Sequence, residues 1–357
     1  MQSAVTALPR VRRPPGAASA GLGGPTAELV SVVATAYSGA VGFEEDWLRV
    51  VPGADRIPSI GVAVGGLDGD VWTAGHDLLF PACSISKHVA AFGTLRLVAG
   101  ATIDLDTDVN AYLAAWQLPG TGTVTVRQVL AHTAGLTKNW FPGYAVGEPV
   151  PSLQQILRGE PPANTPRVRR ELPPGSEFRY SGSHYAVLEQ LLTDVTGTPF
   201  DKLMATLVLE PVGMADSSYD QRFPYGQRER AARGHTGGTP VPGGWHTQPE
   251  MAGAGLWSTP ADLVRLEREI GRAAAGESAL LPQDLAAQML MPQVPGGFGL
   301  GTELGDGCFG HSGQNTGYSC FSFAWPASGT SVAVMTNADD CHDTLLALIE
   351  LAGRDYG

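Results

Sequence analysis

The tetrapeptide Ser84-Ile85-Ser86-Lys87 sets a hydroxyl and an amine three residues apart, and a helical turn would bring them onto one face. A serine alcohol is a weak nucleophile at neutral pH and needs a base within hydrogen-bond reach. A desolvated lysine with a lowered pKa can be that base; an arginine cannot. Lysine is scarce here, Lys87, Lys138 and Lys202 being the three among 23 basic residues, so a lysine at this spacing carries information. The competing reading is a serine near a helix start followed by a solvated lysine. The flanking sequence has to decide between the two.

Ser84 opens a mostly apolar run to Val98 in which Ile85, Val89, Phe92, Leu95 and Val98 fall at helical spacing. The hydroxyl would then sit at the N-terminal end of a buried helix, where backbone N–H groups favour negative charge. Upstream, Ser59 to Val64 and Asp70 to Ala74 flank Gly65-Gly66-Leu67-Asp68-Gly69, a hairpin signature. Ala27 to Thr35 reads as an amphipathic helix after Pro25.

Past Ile103 the chain becomes helical pieces between Pro- and Gly-rich loops: Val124 to Leu130, Ser152 to Leu157, Ser183 to Val195 and Pro199 to Leu209. Strand-like runs return at Gly297 to Leu304, Cys308 to Ser312, Tyr318 to Trp325 and Ser331 to Thr336, followed by an amphipathic helix at Asp343 to Leu351. Strands at both ends with helices between them predict an α/β (α+β) fold, one antiparallel sheet flanked by helices with an inserted helical lobe. The expected division is a disordered tail over 1–26, an α/β lobe from 27–104 and 255–357, and a mostly helical lobe over 105–254.

A chain of 357 residues, 43% hydrophobic and 16% charged, suits a globular protein of roughly two domain-sized units. Its net charge of -12 argues against nucleic acid or anionic membrane as a partner, because phosphate binding needs clustered Lys and Arg. Cys83, Cys308, Cys320 and Cys341 lack C-x-x-C spacing, and four free thiols fit a reducing compartment. Arg10, Arg12 and Arg13 are not followed by an apolar run of signal-peptide length, and no stretch approaches the roughly 18 apolar residues of a membrane span. A cytoplasmic location is expected. The eight histidines never fall at H-E-x-x-H or similar spacing, so neither a metal nor a cofactor is expected.

If Ser84 attacks a carbonyl, a second proton-handling group should reach it from the helical lobe. Tyr180-Ser181-Gly182 follows the loop Pro173-Pro174-Gly175-Ser176-Glu177-Phe178-Arg179 and precedes a helix, so a rigid turn can aim the phenol. A tyrosinate beside cationic groups could act as base, or a tyrosine could relay the proton. A strand edge should supply an oxyanion donor. Phe309-Gly310-His311-Ser312-Gly313-Gln314 fits, its small residues letting substrate lie against backbone.

In the order S-x-x-K, Y-x-x, H-x-G, these elements resemble the serine β-lactamase and penicillin-binding-protein fold. More specifically they resemble the class C β-lactamase-like family of esterases, D-aminopeptidases and acyl transferases. The resemblance runs from about Ile57 to Leu351. It includes Ile103-Asp104-Leu105-Asp106-Thr107-Asp108-Val109, Val124 to Leu136, Pro211-Val212-Gly213-Met214 and Gly255 to Leu263. It implies Ser84 as nucleophile, Lys87 as its base partner, Tyr180 as second base, and His311 where relatives often carry lysine. The oxyanion hole would be the backbone N–H groups of Ser84 and Gln314.

Relatives that hydrolyse β-lactams usually carry Asn where this chain has Gly182, and lysine where it has His311, which would be a weaker, pH-dependent anion partner. Both departures point away from β-lactam or cell-wall peptide chemistry and toward esters, thioesters or biosynthetic intermediates. Asn139 and Trp140 fall where relatives line the acyl pocket, Gly313 lies on the strand edge, and Glu250 is a candidate to meet a substrate amine. His88, one turn below Ser84, reads as structural, Cys83 as a buried small hydrophobe, and His132 as part of a fold-maintaining turn. The expected activity is acyl transfer from a small-molecule donor to water, an amine or an alcohol, as a hydrolase or a transacylase of a natural-product pathway. The alternatives are β-lactamase or D-amino-acid peptidase activity, or a non-catalytic sensor on the same scaffold.

Overall fold

The computed structural model describes residues 51–222, 227–295 and 297–356, with side chains up to residue 351. The expected tail over 1–26 and the helix over Ala27 to Thr35 lie outside these residues. The hairpin is β1 (Ile60–Gly65) paired antiparallel with β2 (Trp72–Gly75), Val62 opposite Ala74. Late in the chain come β3 (Glu303–Leu304), β4 (Phe309–Asn315), β5 (Tyr318–Trp325) and β6 (Thr330–Thr336). They join the hairpin in one antiparallel sheet of order β2-β1-β6-β5-β4-β3, with Val62 opposite Val334 and Val334 opposite Phe321. The strand expected over Gly297 to Leu304 shrinks to its last two residues. Gly297 and Gly301 have φ of 84° and 70°, and this left-handed backbone turns the chain where a strand would need it extended.

Alternation along the strands explains how both faces are covered. Val62, Val64, Phe321, Phe323, Val332 and Val334 pack with Leu345, Leu348 and Ile349 of helix α4 (His342–Tyr356). Their neighbours Ala63, Cys320, Ala324, Ala333 and Met335 pack in a second cluster with helices α1 (Ile85–Ala99) and α3 (Pro260–Ala275). A period of two thus sends every other side chain to each layer, and each fully buried Val, Leu, Ile or Phe contributes about 1.5–3 kcal/mol. Helix α3 begins where Thr259 accepts the Asp262 N–H with Pro260 at its first position, and ends at left-handed Gly276.

Helix α1 is buried all round from Ile85 to Leu95, so its polar residues must find partners inside. Ser86 Oγ donates to Cys83 O (2.6 Å) and accepts from Leu256 N (3.0 Å), and Ser86 O accepts from Tyr219 Oη (2.9 Å). His88 meets Glu267 (3.2 Å) and Thr302 (2.7 Å), the structural role expected of it. These contacts tie the helix start to several elements and fix Ser84 in space. Between α1 and α3 lie Val126–Leu130, Leu153–Arg158 and helix α2 (Gly182–Thr196), the last beginning two residues after Tyr180.

Candidate active site

Ser84 stands at the position before the first helical residue of α1, preceded by Cys83 at a left-handed φ of 52°. A non-glycine residue with that φ is strained, and here it turns the chain into the helix with Ser84 partly exposed between buried neighbours. Lys87 Nζ donates to Ser84 Oγ at 3.0 Å and to Gly253 O at 2.7 Å. The amine is buried, and burial pushes its pKa from 10.5 down to about 7, with the Cys83 and Glu303 charges opposing only in part. An amine that is half neutral near pH 7 and touches a hydroxyl can take its proton.

Tyr180 lines the same cleft as Ser84, and its ring centroid lies 5.2 Å from Lys87 Nζ. Its placement follows from the two residues around it: Arg179 N–H donates to His132 O (2.8 Å) and Ser181 N–H to His132 Nδ1 (3.3 Å). The His132 ring also packs on the phenol, centroids 4.3 Å apart. The turn residue His132, at a φ of 56°, therefore clamps Tyr180 from both sides. Ser181 Oγ extends the clamp to the neighbouring loop, donating to Thr137 O (2.6 Å) and accepting from Asn139 N (3.1 Å). Desolvation among these rings pushes the phenol well above its ordinary pKa, and the neighbouring Ser84 hydroxyl offsets only part of it. The tyrosinate expected as one option is thus disfavoured, because an unsolvated phenolate has too little positive charge near it. The neutral phenol can still relay a proton.

Strand β4 passes against the nucleophile. A Cβ on Gly313 would lie 2.7 Å from Ser84 N and 2.9 Å from Cys320 Sγ, so only glycine allows the approach that sets Gln314 next to Ser84. Two residues earlier, His311 is fully buried; its Nδ1 faces Ser312 O (2.5 Å) and Glu303 Oε1 (3.3 Å), both acceptors, so that nitrogen carries the proton. Burial, with the Lys87 charge adding to it, holds the ring neutral. The expected anion partner is therefore uncharged and buried, its ring 6.1 Å from that of Tyr180. Glu303, which holds both His311 and Ser312 Oγ (2.7 Å), had no local motif to reveal it.

A cleft of about 300 Å³ opens over Ser84 and Lys87, lined by Asn139, Trp140, Phe141, Pro142, Tyr180, Gly182, Gly253, Ala254, Gln314, Asn315, Thr316 and Asp339. It gathers Ser84, Lys87, Asn139, Trp140, Tyr180, Gly182 and Gln314 in one place. Trp140 is 54% exposed and stacks over Tyr180, ring centroids 5.8 Å apart, while Asn139 is buried and spends its amide on Pro166 O. Gly182 packs under the Phe141 ring, which a Cβ would meet at 2.6 Å. The glycine that replaces the relatives' asparagine is thus filled by an aromatic from the neighbouring loop.

Glu250 is not in the cleft. It is fully buried with both carboxylate oxygens unpaired, and burial pushes it up to about 7. The candidate role of meeting a substrate amine does not hold, because packing of the short helix Met251–Ala254 sinks the carboxylate away from the cleft. His311 and Gly313 do not line the cleft, although Gly313 packs on Ser84 and the His311 ring lies 6.1 Å from that of Tyr180. Phe141, Gly253 and Asp339 were not singled out from sequence, since each lines the cleft through packing that no local pattern encodes. Among the described residues no group of three or more His, Cys, Asp or Glu could hold a metal, and no helix is long and apolar enough to cross a membrane.

The chain has relatives among known proteins. Penicillin-binding protein 4 of Amycolatopsis lactamdurans is 26% identical over 73% of this chain and 72% of its own length. Esterase EstB of Burkholderia gladioli is 29% identical over 78% of this chain and 82% of its own. The share of a curated relative's length that the chain spans falls as low as 36%. The crystal structure of D-amino acid amidase from Ochrobactrum anthropi superposes with a TM-score of 0.68 at 20% identity, covering 84% of this chain and 96% of the amidase, a likeness of fold. The Beta-lactamase family description matches residues 45–352, almost the whole of the described fold, and the chain belongs to that family of serine hydrolases.

Proposed function

We propose that this protein transfers acyl groups through a covalent intermediate on Ser84, with a small-molecule ester or amide as donor and water, an amine or an alcohol as acceptor. One observation carries the reading: the Lys87 amine, depressed to about 7, lies 3.0 Å from the Ser84 hydroxyl on the floor of a cleft. Neutral Lys87 takes the Ser84 proton as Oγ bonds to the carbonyl carbon. The oxyanion is received by the N–H groups of Ser84 and Gln314, and the helix start adds its dipole. The proton passes through the Tyr180 phenol to the leaving group, whose bond to carbon breaks to leave the acyl-enzyme. Deacylation repeats these steps with the acceptor in place of the alcohol.

His311 supports the site as a buried neutral ring beside Tyr180 and is no charged ligand. On this reading the cleft lies between the sheet-bearing lobe and the helical lobe of residues 105–254. Esterase, D-aminopeptidase and amidase relatives support ester or amide substrates. The neutral His311 and the Phe141-filled Gly182 speak against a carboxylate-bearing β-lactam or D-Ala-D-Ala substrate. The intact Ser84, Lys87 and Tyr180 speak against a non-catalytic sensor. A cytoplasmic, natural-product role remains part of the proposal on the composition alone.

The test is labelling by a fluorophosphonate with mass mapping, followed by a survey of short acyl esters, nitrocefin and D-amino acid amides with and without added amines. Label on Ser84 and turnover of esters or amides are expected, and the Ser84→Ala variant should lose both. Full turnover by that variant refutes the mechanism. Product partition between acid and amide then separates hydrolase from transacylase.

A further inference from the structure

The strand-end side of the cleft carries a feature that the acyl-transfer chemistry does not use. Gln314, Asn315 and Thr316 form it together with Asp339, which follows β6. Asp339 is fixed: its Oδ2 accepts from Thr236 Oγ1 (2.8 Å) and from Gly317 N (3.0 Å), and its carbonyl accepts from Gln314 Nε2 (2.6 Å). The last contact ties it to Gln314, which lines the cleft with Ser84 and is the proposed second oxyanion donor. Its Oδ1 takes no hydrogen bond from the described residues, and the residue is partly exposed. A carboxylate held by one oxygen, with the other left over, is oriented before any ligand arrives.

The charge of the cleft is one-sided. Among the described residues that line it, Asp339 is the one carboxylate and Lys87 the one basic residue. Lys87 is committed to Ser84 Oγ and Gly253 O, and His311 is buried with its ring held by Ser312 and Glu303. A substrate anion would therefore find no free cation here and would face Asp339. A substrate cation would find a placed acceptor, and a chain of net charge -12 draws cations toward it.

We propose that Asp339 is a specificity-determining residue that receives an ammonium group of the ester or amide substrate, so that the enzyme favours cationic small molecules and disfavours carboxylate-bearing ones. This rests on the acyl-transfer reading above and adds the substrate class to it. The site spans a few side chains only, which suits a group carried a short distance from the reacting carbonyl.

Two matched ester pairs test it. Butyrylcholine against 3,3-dimethylbutyl butyrate places the charge in the alcohol part; methyl 6-ammoniohexanoate against methyl heptanoate places it in the acyl part. The readout is the ratio of kcat/KM for the charged and the uncharged member, at low salt and at about 0.5 M salt. In at least one pair the ratio should be about fivefold or more, the factor that a single ion pair at a half-open wall supplies. It should shrink in high salt, fall to about one in Asp339→Asn, and persist in Asp340→Asn, whose side chain is exposed outside the cleft. A ratio near one in both pairs for the wild type overturns the proposal, as does a preference that survives Asp339→Asn. Fluorophosphonate label on Ser84 counts the folded sites in every variant. A wild type that takes no label fails the underlying chemistry, an outcome distinct from one that labels without preferring cations. If Asp339→Asn does not fold, the wild-type ratio and its salt dependence still decide.

Discussion

Protonation of Lys87 is the perturbation with the most direct consequence. Its amine is neutral in half the molecules at about pH 7, against about one in 3,000 for a lysine left at 10.5. Burial therefore raises the supply of base by about three orders of magnitude, equivalent to about 5 kcal/mol of differential solvation. The second-order rate of Ser84 phosphonylation should then rise tenfold per pH unit below about 6, bend near 7 and level off above 8. Measured by stopped-time labelling from pH 5 to 9 at fixed ionic strength, the inflection should vanish in Lys87→Met, with a loss of about a thousandfold at pH 8. A flat profile between pH 6 and 8, or an inflection above pH 9, would refute the assignment of Lys87 as the base. Stability carries the same signature with a defined sign. Between about 7 and 10.5 the unfolded chain holds a proton that the folded chain has released, so stability rises with pH across that window. Lys87→Met should remove the rise.

Glu250 provides a contrast of opposite sign, since its folded pKa of about 7 lies above the ordinary 4.5. The folded state holds the extra proton between these values, so stability falls as pH rises through them, by up to about 3 kcal/mol. The difference in denaturant midpoint between wild type and Glu250→Gln should follow that slope, while the Lys87 inflection in labelling persists; a pH-independent difference contradicts the burial argument. Gly313→Ala would put a methyl 2.7 Å from Ser84 N, against backbone that cannot give way, and should slow acylation about a hundredfold or more by displacing the oxyanion donors. Unchanged labelling kinetics would show that β4 is not the oxyanion strand. Gly182→Asn should cost about 1–3 kcal/mol and activity because of the Phe141 ring, and Phe141→Ala in the same chain should recover stability. Additive losses in thermal denaturation would mean that the two do not share the space.

The sequence by itself picked out the candidate chemistry-bearing residues and determined the elements that carry them. S-x-x-K at a helix start, the tyrosine before α2 and the small residues of β4 are local patterns, and local patterns survive as one reads along a chain. The hairpin and the three late strands were equally legible, since alternation and turn glycines are encoded within a few residues. What only the tertiary structure decided was environment. The Lys87 amine is lowered to about 7 because burial desolvates it; Glu250 left the site because a short helix sank it; His311 lost its charge to burial and to the Lys87 charge. Asp339 and Phe141 entered the cleft from loops whose sequence says nothing of their destination. Spacing is a property of neighbours in the chain, whereas solvation and charge depend on neighbours in space, and folding brings those together from positions more than 200 residues apart.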